Sequence, residues 1–162
     1  MIGGKATSTS LCVDGVPRAR SGADDPYGLR GISSVWVLIE RLGPEEVKIG
    51  LADGIVRTDV ELRLGSAGLR VISPEEAKKI AVQDNTFLYV NVAVTSGGRA
   101  ATVLAQFAQA AYVLRNSLPI GTAFTWTDVS TLSRPSLHSV RSEIKDLLDK
   151  FLNEWLTQNA RP

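Results

Sequence analysis

Between Thr86 and Thr95 the side chains alternate with a period of two. Leu88, Val90, Val92 and Val94 fall on one side, and Phe87, Tyr89, Asn91, Ala93 and Thr95 on the other. Strict alternation of β-branched and aromatic residues specifies a β-strand, and an aliphatic side of this kind has to be buried. The cover lies at the far end of the chain. From Leu137 to Leu156, the residues Leu137, Val140, Ile144, Leu147, Leu148, Phe151, Leu152 and Trp155 recur at steps of three and four, one apolar stripe along a helix. A sheet centred near residue 90 with a carboxy-terminal helix packed across it follows from these two stretches.

The rest of the chain fills in around them. With 162 residues there is room for one domain with a substantial core. Residues 1–31, rich in Gly, Ser, Thr, Asp and Arg and poor in large apolar side chains, read as a flexible amino-terminal tail, and residues 32–159 as the domain. Val35, Val37 and Ile39 alternate with Trp36 and Leu38, so the strand over 32–40 is apolar on both sides and belongs inside a sheet. Leu42-Gly43-Pro44 breaks it, and the segment to Gly54 reads as a connection. Asp53 then stands as N-cap of a helix to Ala67, with Val56, Val60, Leu64 and Ala67 as its stripe. Asp59 precedes Arg63 by four residues, the favourable order for a helical ion pair, and Gly68 suits a left-handed C-cap.

Leu69 to Ile72 follows as a short strand, so strand, helix and strand form a crossover with parallel strands. Ser73-Pro74-Glu75-Glu76 has the spacing of a capping box and starts a short helix to Ala81. Ser96-Gly97-Gly98-Arg99 reads as a hairpin turn, because adjacent glycines accept positive φ. From Val103 to Leu114 the spacing of Val103, Phe107, Ala110, Ala111 and Leu114 fits a helix better than a strand. Gly121 to Leu132 is a threonine-rich strand, with Phe124, Trp126 and Leu132 on one side and Ala123, Thr125, Thr127, Val129 and Thr131 on the other. Ser136 caps the terminal helix, and Asn159 and Pro162 mark its end.

Leu29-Arg30-Gly31, the run Arg57 to Leu64 (RTDVELRL), Ala67-Gly68-Leu69-Arg70-Val71, Phe87 to Val92 (FLYVNV) and the closing Asp146 to Leu156 together resemble an uncharacterised bacterial family. The resemblance spans roughly residues 29–159 and implies no activity, so it assigns no catalytic residue. It implies instead that residues 101–115 form a long strand of a continued antiparallel meander, against their helical spacing. On that basis the expected fold is α+β: a mixed, largely antiparallel sheet of about five strands with the terminal helix on one face. The resemblance also implies export to the periplasm. The first thirty residues show no charged start followed by an apolar core, so an exported member would have lost its signal.

Little in the chain points to chemistry. Eighteen basic and seventeen acidic residues give a formal charge of +1 without a basic run, which argues against nucleic acid as a partner. No apolar stretch reaches the roughly 18–20 residues needed to span a bilayer. His138 is the single histidine and Cys12 the single cysteine, too few to form a clustered metal site, and neither sits in a nucleophile motif with Ser136 or Ser139. Glu45-Glu46 reads as a solvated turn and Gly97-Gly98 lacks the spacing of a phosphate loop, so no cofactor is expected.

What remains is surface. Tyr89 and Asn91 share the mixed side of the central strand, and Trp126 lies on a strand expected nearby, so these three mark a candidate partner surface. The alternative is that the aromatics are core beneath the short helix or the tail. The expected function is a non-enzymatic binding or assembly module that engages a protein or its own copy through a sheet face or edge. The alternative is a small hydrolase or ligand-binding enzyme whose serines and carboxylates gather around His138. Whether a small molecule binds is left open by the sequence.

Overall fold

The computed structural model describes residues 25–81, 84–113, 115 and 118–159. Its elements are β1 (Ser34–Ile39), α1 (Pro44–Lys48), α2 (Asp53–Ser66), β2 (Arg70–Ile72), α3 (Pro74–Ala77), β3 (Phe87–Val94), β4 (Ala100–Val113), β5 (Leu118–Ser133) and α4 (Leu137–Asn159). The strands form one sheet in the order β2-β1-β3-β4-β5. β1 runs parallel to both β2 and β3, and β3, β4 and β5 form an antiparallel meander. This is the single α+β domain with a mixed, mostly antiparallel sheet that the alternation and the resemblance lead one to expect.

Local chemistry sets the joints. Gly68 takes φ +88° after α2, and Gly97 and Gly98 take +79° and +66° in the β3–β4 turn, conformations in which a Cβ would be strained. Ser73 and Glu76 close a capping box at α3, with the Ser73 Oγ accepting from the Glu76 N–H at 3.1 Å and the Glu76 carboxylate accepting from the Ser73 N–H at 2.9 Å. Ser136 Oγ accepts from the Ser139 N–H at 3.1 Å, capping α4 as its position in the sequence predicts.

The core lies on one side of the sheet. There α2 presents Val56, Val60 and Leu64, and α4 presents Val140, Ile144, Leu147, Leu148, Phe151, Leu152 and Trp155. These share one buried cluster with Val35 and Val37 of β1, Leu88, Val90 and Val92 of β3, and Val103, Ala105 and Phe107 of β4. The Phe151 ring stacks on Phe107 at 5.4 Å and meets Trp126 edge-on at 5.2 Å, which ties α4 to β4 and β5.

Residues 101–113 are strand, not helix. Ala101, Val103, Ala105 and Phe107 point into the core, while Gln106 and Gln109 project to opposite sides. Gln106 donates to Thr127 Oγ1 at 3.2 Å, and Gln109 donates to Thr125 Oγ1 at 2.9 Å and to the Tyr27 carbonyl at 3.0 Å. Each glutamine amide therefore has a partner on its own side, so the polar spacing that imitates a helix costs the strand nothing.

Several local expectations are corrected. Ala52, not Asp53, is the N-cap of α2, and it makes no side-chain cap bond. Asp59 does not pair with Arg63; Asp59 takes Arg141 of α4, and Arg63 takes Asp149 of α4. Glu45 and Glu46 lie in α1 instead of a solvated turn. Glu46 is buried, and its carboxylate accepts from the Val94 N–H at 2.5 Å, pinning the end of β3. α3 stops at Ala77, short of Ala81.

The tail expected over residues 1–31 falls outside the described residues as far as residue 24. Residues 25–31 are docked: Leu29 is fully buried, Asp25 accepts from the N–H groups of Leu29 and Arg30, and Asn159 holds both Leu29 and Gly31. One large aliphatic residue among polar neighbours is enough to anchor the stretch.

Because Phe151 packs between two rings, Phe151→Ala should lower the unfolding free energy by about 3–5 kcal/mol in urea titration followed by circular dichroism. A loss of less than about 1 kcal/mol would place the ring outside the core.

Candidate interaction surface

The other side of the sheet is built from the alternate residues of the same strands. Register places Trp36 beside Phe87 and Leu38 beside Tyr89, then Tyr89 beside Gln106 and Asn91 beside Leu104, and finally Gln106 beside Thr127 and Leu104 beside Val129. Directly paired residues share a face. No described helix lies over the centre of this face: Leu38 is 37% exposed, Phe124 52% and Val129 54%.

A bulge decides which aromatics belong to it. Phe107 pairs with Trp126, but the next residue, Ala108, pairs with Phe124, so β5 carries one extra residue at Thr125. An extra residue reverses the alternation on the bulged strand. Trp126 therefore turns into the core against Phe151, 5% exposed, and Phe124 turns out to the open face. There Phe124 sits 6.1 Å from Phe87 and 6.4 Å from Tyr89, and Phe87 lies 5.1 Å from Trp36.

Of the three residues read from the sequence as a partner surface, Tyr89 and Asn91 are on the open face and Trp126 is on the opposite one. Phe124, Trp36, Leu38 and Val129 complete the surface. The placement of Trp36 and Leu38 follows from pairing β1 with β3 in register. That of Phe124 depends on the bulge, which nothing in Phe124-Thr125-Trp126 announces.

Polar groups on this face find partners within the chain. The Tyr89 hydroxyl donates to Glu40 Oε2 at 2.8 Å, and Trp36 Nε1 donates to Asn85 Oδ1 at 3.1 Å. Partial burial, and after it the Glu40 carboxylate, push the Tyr89 phenol above its ordinary value, with Asn91 pulling the other way.

On the helical side, a shallow groove between α2 and α4 brings together Asp59, Ser66, His138, Arg141 and Ser142. Its contents do not form a relay. Both Asp59 oxygens are occupied by Arg141, from Nε at 2.6 Å and Nη2 at 2.8 Å. No hydrogen bond joins His138 to a serine or carboxylate among the described residues, and Ser136 and Ser139 bond each other. A nucleophile, base and orienting acid would have to be linked in series. The groove cations are likewise engaged, Arg63 with Asp149 and Lys145 with Asp149 at 3.1 Å. Partial burial works to raise the Asp149 pKa, but Arg63 and Lys145 outweigh it and hold the carboxyl below the usual range. The groove is thus a clamp between two helices.

Among the described residues no three His, Cys, Asp or Glu side chains gather as a metal site, and no helix is long and apolar enough to cross a membrane.

No protein-family profile matches the chain, and no curated protein is similar to it. Among solved structures it is similar to the PelC dodecamer from Paraburkholderia phytofirmans, at 18% identity and a TM-score of 0.41, covering 72% of this chain and 86% of that one. It is also similar to a minor lipoprotein from Acinetobacter baumannii, at 12% identity and 0.33, covering 76% and 91%. A third likeness is to the lipoprotein GNA1162 from Neisseria meningitidis, at 14% identity and 0.36, covering 75% and 97%. These are distant likenesses, so the chemistry of this chain has to be taken from its own residues.

The raised Tyr89 pKa sets a pH dependence. A group whose folded pKa lies above its unfolded one adds stability that is complete below the unfolded pKa and disappears as pH rises through the folded pKa. Tyr89→Phe should therefore be less stable than the parent, by no more than about 1 kcal/mol for a half-exposed hydrogen bond. That difference should persist at neutral pH and shrink above about pH 10, the ordinary tyrosine value. Urea titrations of both proteins across this range check it; a difference that grows with pH would contradict the assignment.

Proposed function

We propose that this chain is a non-enzymatic binding or assembly module whose working surface is the uncovered side of its sheet. The supporting observation is the run of rings and aliphatic side chains from half-buried Trp36 and Phe87 to exposed Phe124 and Val129, on the side of the sheet opposite α2 and α4. Contiguous exposed apolar surface is costly to maintain and marks a site that another molecule covers. The partner is a protein, either another chain or a copy of this one. The resemblance of residues 29–159 to a bacterial family with export signals supports reading the module as one that works outside the cytoplasm.

The experiment is site-specific photo-crosslinking in the cells that produce the protein, with a benzophenone side chain at position 124 or 129 and a control at position 62, exposed on α2. Adducts at 124 and 129 and none at 62 are the expected result. No adducts, or equal labelling at 62, would remove the open face as the working surface.

A further inference from the structure

We infer that the open face docks on the same face of a second copy, forming a two-fold dimer in which two sheets stack with their helices outermost. The inference rests on the reading above and names its partner.

Charge is the first ground. In a chain with 22% charged residues, β1, β3, β4 and β5 themselves turn no charged side chain to this side, so a two-fold copy keeps like charges out of the centre of the contact and leaves Glu40 at its rim. The nearest carboxylate, Glu40, is occupied by the Tyr89 hydroxyl.

The second ground is hydrogen bonding. Trp36 Nε1, the Tyr89 hydroxyl and the Gln106 amide have acceptors inside their own chain. Covering the face with an apolar surface therefore strands none of these donors, and a partner with bonds of its own to offer is not required. The surface that matches these terms, aromatic and uncharged across its centre, is the face itself.

Area is the third. Four strands spaced about 4.8 Å apart, six residues long at β1 and eight or more at β3, β4 and β5, at about 3.3 Å per residue, make a face of about 500 Å². Two such faces bury about 1,000 Å², the lower bound for a specific association. Sheets stacked face to face lie about 10 Å apart, the depth of one interdigitated layer of such side chains.

Sedimentation velocity of the full 162-residue chain, from micromolar to near-millimolar concentration, tests this. The expected species has twice the 17.4 kDa chain mass at the upper end. Phe124→Glu and Val129→Lys should remain at the single-chain mass, while Leu62→Glu, on exposed α2, should still dimerise. Val129 is 54% exposed, so its substitution leaves folding intact, as circular dichroism would confirm. A parent chain that stays at 17.4 kDa throughout, or an assembly that survives both open-face substitutions, overturns the inference. Crosslinks from position 124 to a chain of different mass would overturn it too while leaving the binding-module reading in place; absence of any crosslink would remove both.

Discussion

Burial of one side of the sheet by α2 and α4 is the constraint on which everything else in this molecule rests. The stacked pair Phe107 and Phe151, with Trp126 against its edge, fixes α4 over β4 and β5, and Val56, Val60 and Leu64 fix α2 beside it. Two helices cover one face of a five-stranded sheet and leave the other to water or to a partner. The period-two alternation of β3 makes the same division one residue at a time: Leu88, Val90 and Val92 are buried, and Phe87, Tyr89 and Asn91 are partly exposed.

Polar contacts position this core without stabilising it much. Asp59 with Arg141 and Arg63 with Asp149 join the helices at solvent-exposed sites, where such pairs contribute between zero and about 1 kcal/mol each. Their effect is register: they set which turn of α2 meets which turn of α4. At the far end of α4, Trp155 Nε1 donates to the Ile32 carbonyl at 2.8 Å, and Asn159 grips Leu29 and Gly31, so the last helix also locks the segment that leads into β1. A groove full of charged groups thus does mechanical duty, while β1, β3, β4 and β5 turn no charged residue to the opposite side.

Much of this architecture is legible in the amino-acid order because apolar spacing reports directly on burial. The stripe on α4, the doubly apolar β1 and the capping box at Ser73 each encode one element through local chemistry. What escapes is whatever depends on two segments at once. Asp59 and Arg63 have the spacing of a partnered pair, yet each finds a better-placed ion on α4. Residues 103–113 have helical spacing, yet pairing with β5, and with β3 as far as Ala108, makes them strand; the family resemblance carried that information and the periodicity did not. Leu29 sits in a polar stretch whose composition masks its anchoring role. The bulge at Thr125 is the costliest omission, because it moves Phe124 and Trp126 to opposite sides and so changes the membership of the candidate surface.

The central claim is that the sheet has one structural side and one side free for contact, with the boundary crossing β5 at Thr125. The most direct measurement is the unfolding free energy of Trp126→Ala and Phe124→Ala, compared by urea titration at a protein concentration low enough to keep the chain monomeric. The account predicts a loss of about 3–5 kcal/mol for the core tryptophan and less than about 1.5 kcal/mol for the half-exposed phenylalanine. Equal losses, or a larger one at Phe124, would contradict it.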